Sequence, residues 1–191
     1  MKILFITGNK DKFNQATYYF KNNLPKVVLE QYSNDLPEIQ SLSHEEVIAD
    51  KLESLILKRK DLLNCSIMVE DTSLGLNGLN GFPGPLAKHL IKAIKQEGLV
   101  NLVQKIGNNF ATAKTMIGFY DPIMQYKEYF SGEIHGIIRP SHEYLGHGFE
   151  DVFQPSTSSK TLSEMSDSER MHQNMRGKAL DKFGSFISSN Y

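Results

Sequence analysis

Two short stretches of this chain carry residue types that could do chemistry on a phosphorylated molecule. In Val69-Glu70-Asp71-Thr72-Ser73-Leu74 two acids end an apolar strand, and the glycine-proline turn Gly81-Phe82-Pro83-Gly84-Pro85 begins just beyond. Acids so placed can hold a metal. Two hard oxygen donors suit magnesium, which keeps several waters and is completed by substrate phosphates. A carboxylate near such an ion can also take a proton from an attacking water. At the other end of the chain, Lys2-Ile3-Leu4-Phe5-Ile6 runs straight into Thr7-Gly8-Asn9-Lys10-Asp11-Lys12. A glycine turn that opens a helix exposes backbone N–H groups, and the helix N-terminus adds its partial positive charge. Lys12, one turn in, can reach the same anion. The spacing is shorter than that of a P-loop. Together the two segments point to a magnesium-assisted enzyme acting on a phosphorylated molecule.

The elements that must position these residues can be traced from periodicity. Residues 2 to 6 read as a buried strand and residues 10 to 23 as a helix, with Phe13, Ala16 and Phe20 at helical spacing. A β-rich run from Val27 to Tyr32 leads into Asp35-Leu36-Pro37-Glu38. Ser43 and Glu46 then form a capping box for a helix to about Lys60, with Ile48, Leu52 and Leu55 on its buried stripe. A strand follows over Ser66 to Glu70. Beyond the Gly/Pro turn, helical segments cover Leu86 to Ile94 and Leu99 to Ile106. Residues 112 to 120 and 126 to 138, parted by Asp121-Pro122, read as a hairpin. Ser166 with Glu169 caps one final helix carrying Met171, Met175, Leu180, Phe183 and Ile187. Helices and strands interleave, but the central hairpin prevents an all-parallel sheet. The expected fold is therefore α/β, a mixed sheet flanked by helices.

Bulk properties narrow the function further. A chain of 191 residues with 40% hydrophobic and 23% charged content fits a single domain, 1–191, of one or two lobes. A formal net charge of −1 argues against tracking a nucleic-acid polymer, yet a single nucleotide needs only a local cluster of cations. No apolar run reaches membrane-spanning length, and the short N-terminal apolar stretch before Gly8 is no signal peptide. The lone Cys65 cannot make an internal disulfide and reads as a buried structural thiol in a reducing, cytoplasmic setting. His142, His147 and His172 match no zinc spacing. Glu38, Lys51 and Lys88 would each be a solvated charge unless folding brings them to the phosphate site. Arg170, Arg176 and Lys178 read either as a solvated face of the last helix or as cations gripping phosphate or a base.

The ordered set of these motifs resembles the inosine triphosphate pyrophosphatase family, which hydrolyses non-standard purine nucleoside triphosphates such as ITP, dITP and XTP to monophosphate and pyrophosphate. The resemblance covers nearly the whole chain. It rests on Thr7-Gly8-Asn9 with Lys12, Asp35-Leu36-Pro37-Glu38, Val69-Glu70-Asp71-Thr72, Asn80-Gly81-Phe82-Pro83-Gly84-Pro85, Phe130-Ser131-Gly132-Glu133 and Glu164-Met165-Ser166. It implies that Thr7, Gly8, Asn9, Lys12 and Lys51 bind the triphosphate, with Thr72 beside them. Glu38 and Asp71 would serve Mg²⁺, Asp71 would activate water, and Lys12 would join it in catalysis. His147, Phe149, Glu150, Arg170 and Arg176 would meet the base end of the substrate. The implied fold is an elongated mixed sheet with two lobes around a deep cleft, assembled as a homodimer.

The departures from the family pattern fall in one place. The base-binding loop usually reads Gly-Phe-Gly, aromatic, Asp-Pro, whereas this chain has Gly146-His147-Gly148-Phe149-Glu150-Asp151. The later Ser-His-Arg reads Asn174-Met175-Arg176, and a preceding lysine is replaced by Arg170. Loss of a histidine donor from a buried site costs about 1 to 3 kcal/mol of discrimination. The expectation is that the chemistry persists while selectivity for 6-oxopurines is relaxed or redirected. Two alternatives stand beside it: a pyrophosphatase for another modified nucleotide, and a nucleotide-binding protein without efficient turnover.

Overall fold

A computed structural model describes residues 1–33, 38–141 and 143–191. Asp35, Leu36 and Pro37 of the acidic loop motif, and His142, lie outside the described residues. Strand β1 (Lys2–Ile6) passes through Asn9 into helix α1 (Lys10–Asn23), and β2 (Val28–Tyr32) returns parallel to β1. Helix α2 (His44–Lys58) precedes the long strand β3 (Ser66–Leu76), on which the two-residue β4 (Pro83–Gly84) folds back. Helix α3 (Ala87–Ile106) is interrupted at Lys95, whose φ of 61° breaks it in two, as the separate helical segments of the sequence implied. The hairpin of β5 (Phe110–Asp121) and β6 (Tyr126–Ile138), the short β7 (Phe153–Pro155), and helices α4 (Asp167–Gln173) and α5 (Met175–Asn190) complete the chain. The strands form one mixed sheet in the order β2-β1-β3-β5-β6-β7. β1 pairs in parallel with β2 and β3, while β3, β5, β6 and β7 are antiparallel.

Three local expectations are corrected. β3 does not end at its acids: it runs on to Leu76, because the residues from Asp71 to Leu76 pair with Met116 back to Ala111 on β5. Glu70 and Asp71 therefore sit in the body of a strand and must face opposite sides of the sheet. The final helix is two helices. Asn174 is extended (φ −94°, ψ 163°) and its side chain accepts from the Gly177 N–H, capping α5 while α4 keeps the expected Ser166–Glu169 capping box. At α2, Ser43 accepts from the Glu46 N–H, but the Glu46 carboxylate accepts from Ser41 Oγ instead of closing the box.

Strand alternation sorts the core. Ile3, Phe5, Met68, Ile117 and Phe119 face α1 and α5, whereas Leu4, Ile6, Ile67, Val69 and Met116 face α2. A third cluster joins the far half of β3, at Leu74 and Leu76, to α3, β6 and β7. Close approach of α5 to the sheet depends on Gly132 of β6, where a Cβ would lie 2.1 Å from the Met175 carbonyl oxygen. Among the described residues, no helix is long and apolar enough to cross a membrane.

Candidate active site

Where β1 ends and β3 passes its acids, a cleft of about 370 Å³ opens. One wall is the β1–α1 turn. Asn9 caps α1, accepting from the Asp11 and Lys12 N–H groups at 2.9 and 3.2 Å, and its own N–H donates to Thr7 Oγ1. That holds Thr7, Gly8 and Asn9 at the helix's positive end, lining the cleft with Lys12. Lys51 reaches in from α2. The ammonium groups of Lys12 and Lys51 both converge on the Glu70 carbonyl oxygen, at 3.5 and 3.3 Å, and Lys51 also pairs with Glu38. Two cations and a helix N-terminus thus meet within one cavity, the arrangement a polyphosphate needs.

The acids of β3 part to opposite faces. Glu70, buried, points toward α5, where Arg176 Nε donates to both its oxygens at 3.1 and 3.0 Å. Arg176 also donates through Nη1 to Gln15 Oε1 at 2.7 Å, and lies 3.7 Å from Glu150. Burial alone would raise the Glu70 pKa, but Arg176 and then Lys12 outweigh it and hold the carboxyl below the ordinary range. Asp71 points toward α2. Its Oδ2 lies 3.0 Å from His44 Nε2, a close electrostatic contact without the alignment of a hydrogen bond. Burial pushes its pKa up, but His44, Lys12 and Lys51 together hold it below the usual carboxylate range.

The third wall is the Gly146–Glu150 segment, where His147, Phe149 and Glu150 all line the cleft. Phe149 is backed edge-on by Phe153, with ring centroids 6.2 Å apart. Glu150 is buried, one oxygen accepts no hydrogen bond among the described residues, and that burial raises its pKa despite Arg176 and Arg170 nearby.

Of the residues singled out in the sequence, Thr7, Gly8, Asn9, Lys12, Glu38, Lys51, Asp71, Thr72, His147, Phe149, Glu150 and Arg176 all border this cavity. Lys88 does too, on the α3 side. Arg170 does not: it sits behind Glu150, 3.8 Å away, and bonds Asp167 at 3.1 Å. Lys178 faces outward and donates to the Glu133 carbonyl. Met175, where the family pattern puts a histidine, is wholly buried in the apolar cluster around α3 and β6. Sequence reasoning missed Gln15 and His44. Nothing marks Gln15 in sequence, whereas the position of His44 on the same helical stripe as Ile48 and Lys51 was legible and went unused.

Glu38 and Asp71 offer hard oxygen donors on one cavity, the donor type magnesium takes when waters and phosphates complete its shell. Among the described residues, no three His, Cys, Asp or Glu side chains group closely enough to hold a metal by themselves.

Comparison with known proteins identifies the family of the chain. The model of the Ham1 family matches residues 3–186. A protein of Methanopyrus kandleri named dITP/XTP pyrophosphatase is 32% identical over 194 residues, covering 100% of this chain and 98% of its own length. The inosine triphosphate pyrophosphatase of Schizosaccharomyces pombe is 31% identical, covering 98% of this chain and 95% of its own. Among solved structures, the Ham1 protein of Staphylococcus aureus superposes with a TM-score of 0.77 at 20% identity, over 98% of this chain and 100% of that one. A HAM1 protein of Coxiella burnetii superposes with a TM-score of 0.79 at 16% identity, over 99% of both. These two share the mixed-sheet fold. A family match running almost from end to end, with relatives aligned over nearly their full lengths, establishes that the chain belongs to the Ham1 family.

Proposed function

We propose that this protein hydrolyses non-standard purine nucleoside triphosphates, such as ITP, dITP and XTP, to the nucleoside monophosphate and pyrophosphate, clearing deaminated nucleotides from the pool. One observation carries the reading: a single cavity joins a helix N-terminus and two lysines to an aromatic, carboxylate-bearing segment. The cationic wall suits three phosphates and the Phe149 wall a planar base. The full-length relatives named for this activity support it.

In this reading Thr7, Gly8, Asn9, Lys12 and Lys51 bind the triphosphate, and Lys12 stabilises charge that develops on transfer of the α-phosphorus to water. Glu38 and Asp71 would hold Mg²⁺, which when bound supplies neutralisation of phosphate charge. Asp71, kept ionised by its cationic neighbours, accepts a hydrogen bond from the attacking water and orients it. As the water bonds to the α-phosphorus, the same carboxylate takes its proton and pyrophosphate leaves. Arg176 is committed to Glu70 and Gln15 and fixes the floor of the base end. His147 replaces a stacking phenylalanine, and no imidazole stands at Met175, so selectivity among bases is relaxed relative to the family pattern. A homodimer, as the resemblance implies, in the reducing cytoplasmic setting that the lone Cys65 suggests, completes the proposal.

The test is incubation with Mg²⁺ and a panel of ITP, XTP, dUTP and the four standard triphosphates, resolving every product. Monophosphate and pyrophosphate from ITP or XTP, with measurable turnover of other bases, is the expected result. Orthophosphate release, or saturable binding without hydrolysis, overturns the activity; sole and strong preference for ITP and XTP overturns the relaxed selectivity.

A further inference from the structure

Helix α2 brings two polar side chains into its buried face, Lys51 and His44. The phosphate-binding reading uses Lys51; nothing yet uses His44. As the first residue of α2, following the Ser43 cap, its ring is 5% exposed and lies against the face of β3 that carries Asp71 and Ser73. Ser73 Oγ is 3.1 Å from His44 Nδ1 and 3.5 Å from the Lys114 carbonyl oxygen. Nε2 faces Asp71 Oδ2 at 3.0 Å, and neither atom has a hydrogen-bond partner among the described residues.

Two ring states fit this geometry. In one, the Ser73 hydroxyl donates to Nδ1 and the single ring proton sits on Nε2. In the other, both nitrogens are protonated, Ser73 accepts from Nδ1 and donates onward to Lys114. In both states the ring N–H lies beside the carboxylate, an electrostatic contact short of hydrogen-bond alignment; the remaining tautomer would set a lone pair against a carboxylate oxygen at 3.0 Å.

We infer that His44, backed by Ser73, is a positioning residue that holds Asp71 Oδ2 against α2 and so turns the other carboxylate oxygen toward the cleft. An aspartate has two χ angles, and one fixed oxygen removes most of its freedom. What the Asp71 oxygen then does, hold water or a divalent ion, rests on the pyrophosphatase reading. That His44 sets its direction does not. Outer partners that orient a functional carboxylate contribute about 10- to 100-fold in activity or metal affinity when removed.

The test compares His44→Phe, which keeps a ring of similar size without a donor, with His44→Gln, whose amide can place a donor near the Nε2 position. kcat and KM for ITP are measured separately, Mn²⁺ binding to the full-length protein is followed by electron paramagnetic resonance, and unfolding midpoints are recorded throughout. The expected result is a kcat loss of about 10- to 100-fold in His44→Phe with KM little changed, and weaker Mn²⁺ binding. His44→Gln recovers most of both. Ser73→Ala gives a smaller loss in the same direction and carries the test with His44→Gln should the phenylalanine variant not fold. Unchanged kcat and Mn²⁺ affinity in His44→Phe overturns the inference, as does a folded His44→Gln no better than His44→Phe. A wild-type protein that hydrolyses no triphosphate ends the pyrophosphatase reading, and Mn²⁺ binding still decides the role of His44. Wild-type protein that neither turns over nor binds Mn²⁺ overturns both.

Discussion

The two faces of β3 meet the same cleft with opposite electrostatic logic. On the α5 face, Glu70 is closed off: Arg176 spans both its oxygens, Lys12 lies 3.4 Å away, and Thr72 donates to it at 3.2 Å. On the α2 face, Asp71 Oδ2 faces His44 Nε2 at 3.0 Å and, among the described residues, accepts no hydrogen bond. A carboxylate held at both oxygens is a structural tie, because a new ligand must compete with an existing partner. One held at a single oxygen is ready to work. Adjacent acids on one strand thus divide the labour, and the alternation of the strand enforces the division.

That contrast can be broken most sharply at Asp71. Asp71→Asn is expected to lower kcat by about 100- to 10,000-fold, in the range of general acid–base groups, while leaving the unfolding midpoint close to wild type. Parallel turnover and thermal melts check both halves. Glu70→Gln should do the reverse. It leaves Arg176 buried with less countercharge, so a loss of about 3 to 5 kcal/mol in stability is expected from urea denaturation. If Glu70→Gln instead melts like wild type and loses only turnover, the assignment of a structural tie is wrong.

Acid and base limbs of the stability profile sharpen the same comparison. Glu70 has a folded pKa below its ordinary 4.5, so its stabilisation is present above that value and is lost as pH falls through the lower folded pKa. Glu150, raised above 4.5 by burial, has the opposite sign: the folded state gains from its proton at low pH, and that gain is lost as pH climbs through the raised pKa. Glu150→Gln should therefore flatten the decline of stability above pH 4.5 without altering the acid limb, which melts across a pH series would reveal. The smallest effect belongs to Lys178→Ala, since that side chain is exposed and outside the cavity. Its stability should stay within about 0.5 kcal/mol of wild type, with kcat/KM for ITP unchanged.

Much of the architecture is legible in the sequence alone. The bounds of α1, the hairpin of β5 and β6, and the Ser166–Glu169 capping box follow from patterns whose physical cause lies within a few residues: helical period, alternation, and side chains that cap their own helix. The reach of β3 is not, because its extension past Asp71 is decided by β5, which arrives later in the chain and supplies the ladder for Thr72 to Leu76. The break at Asn174 was hidden for a related reason. An asparagine within a helical period is no signal until the chain must turn Arg176 inward to meet Glu70 and Gln15.

The sequence by itself determined which chemistries were available: a glycine turn opening a helix, lysines one turn in, paired acids on a strand, and an aromatic loop. These depend on residue identity and short-range geometry. Only the tertiary structure decided how they are used. Arg176 finds Glu70 across 106 positions, and His44 finds Ser73 across 29. No local rule couples such residues, because the free energy that unites them comes from burying the three apolar clusters of the sheet, and the polar side chains go where that packing carries them.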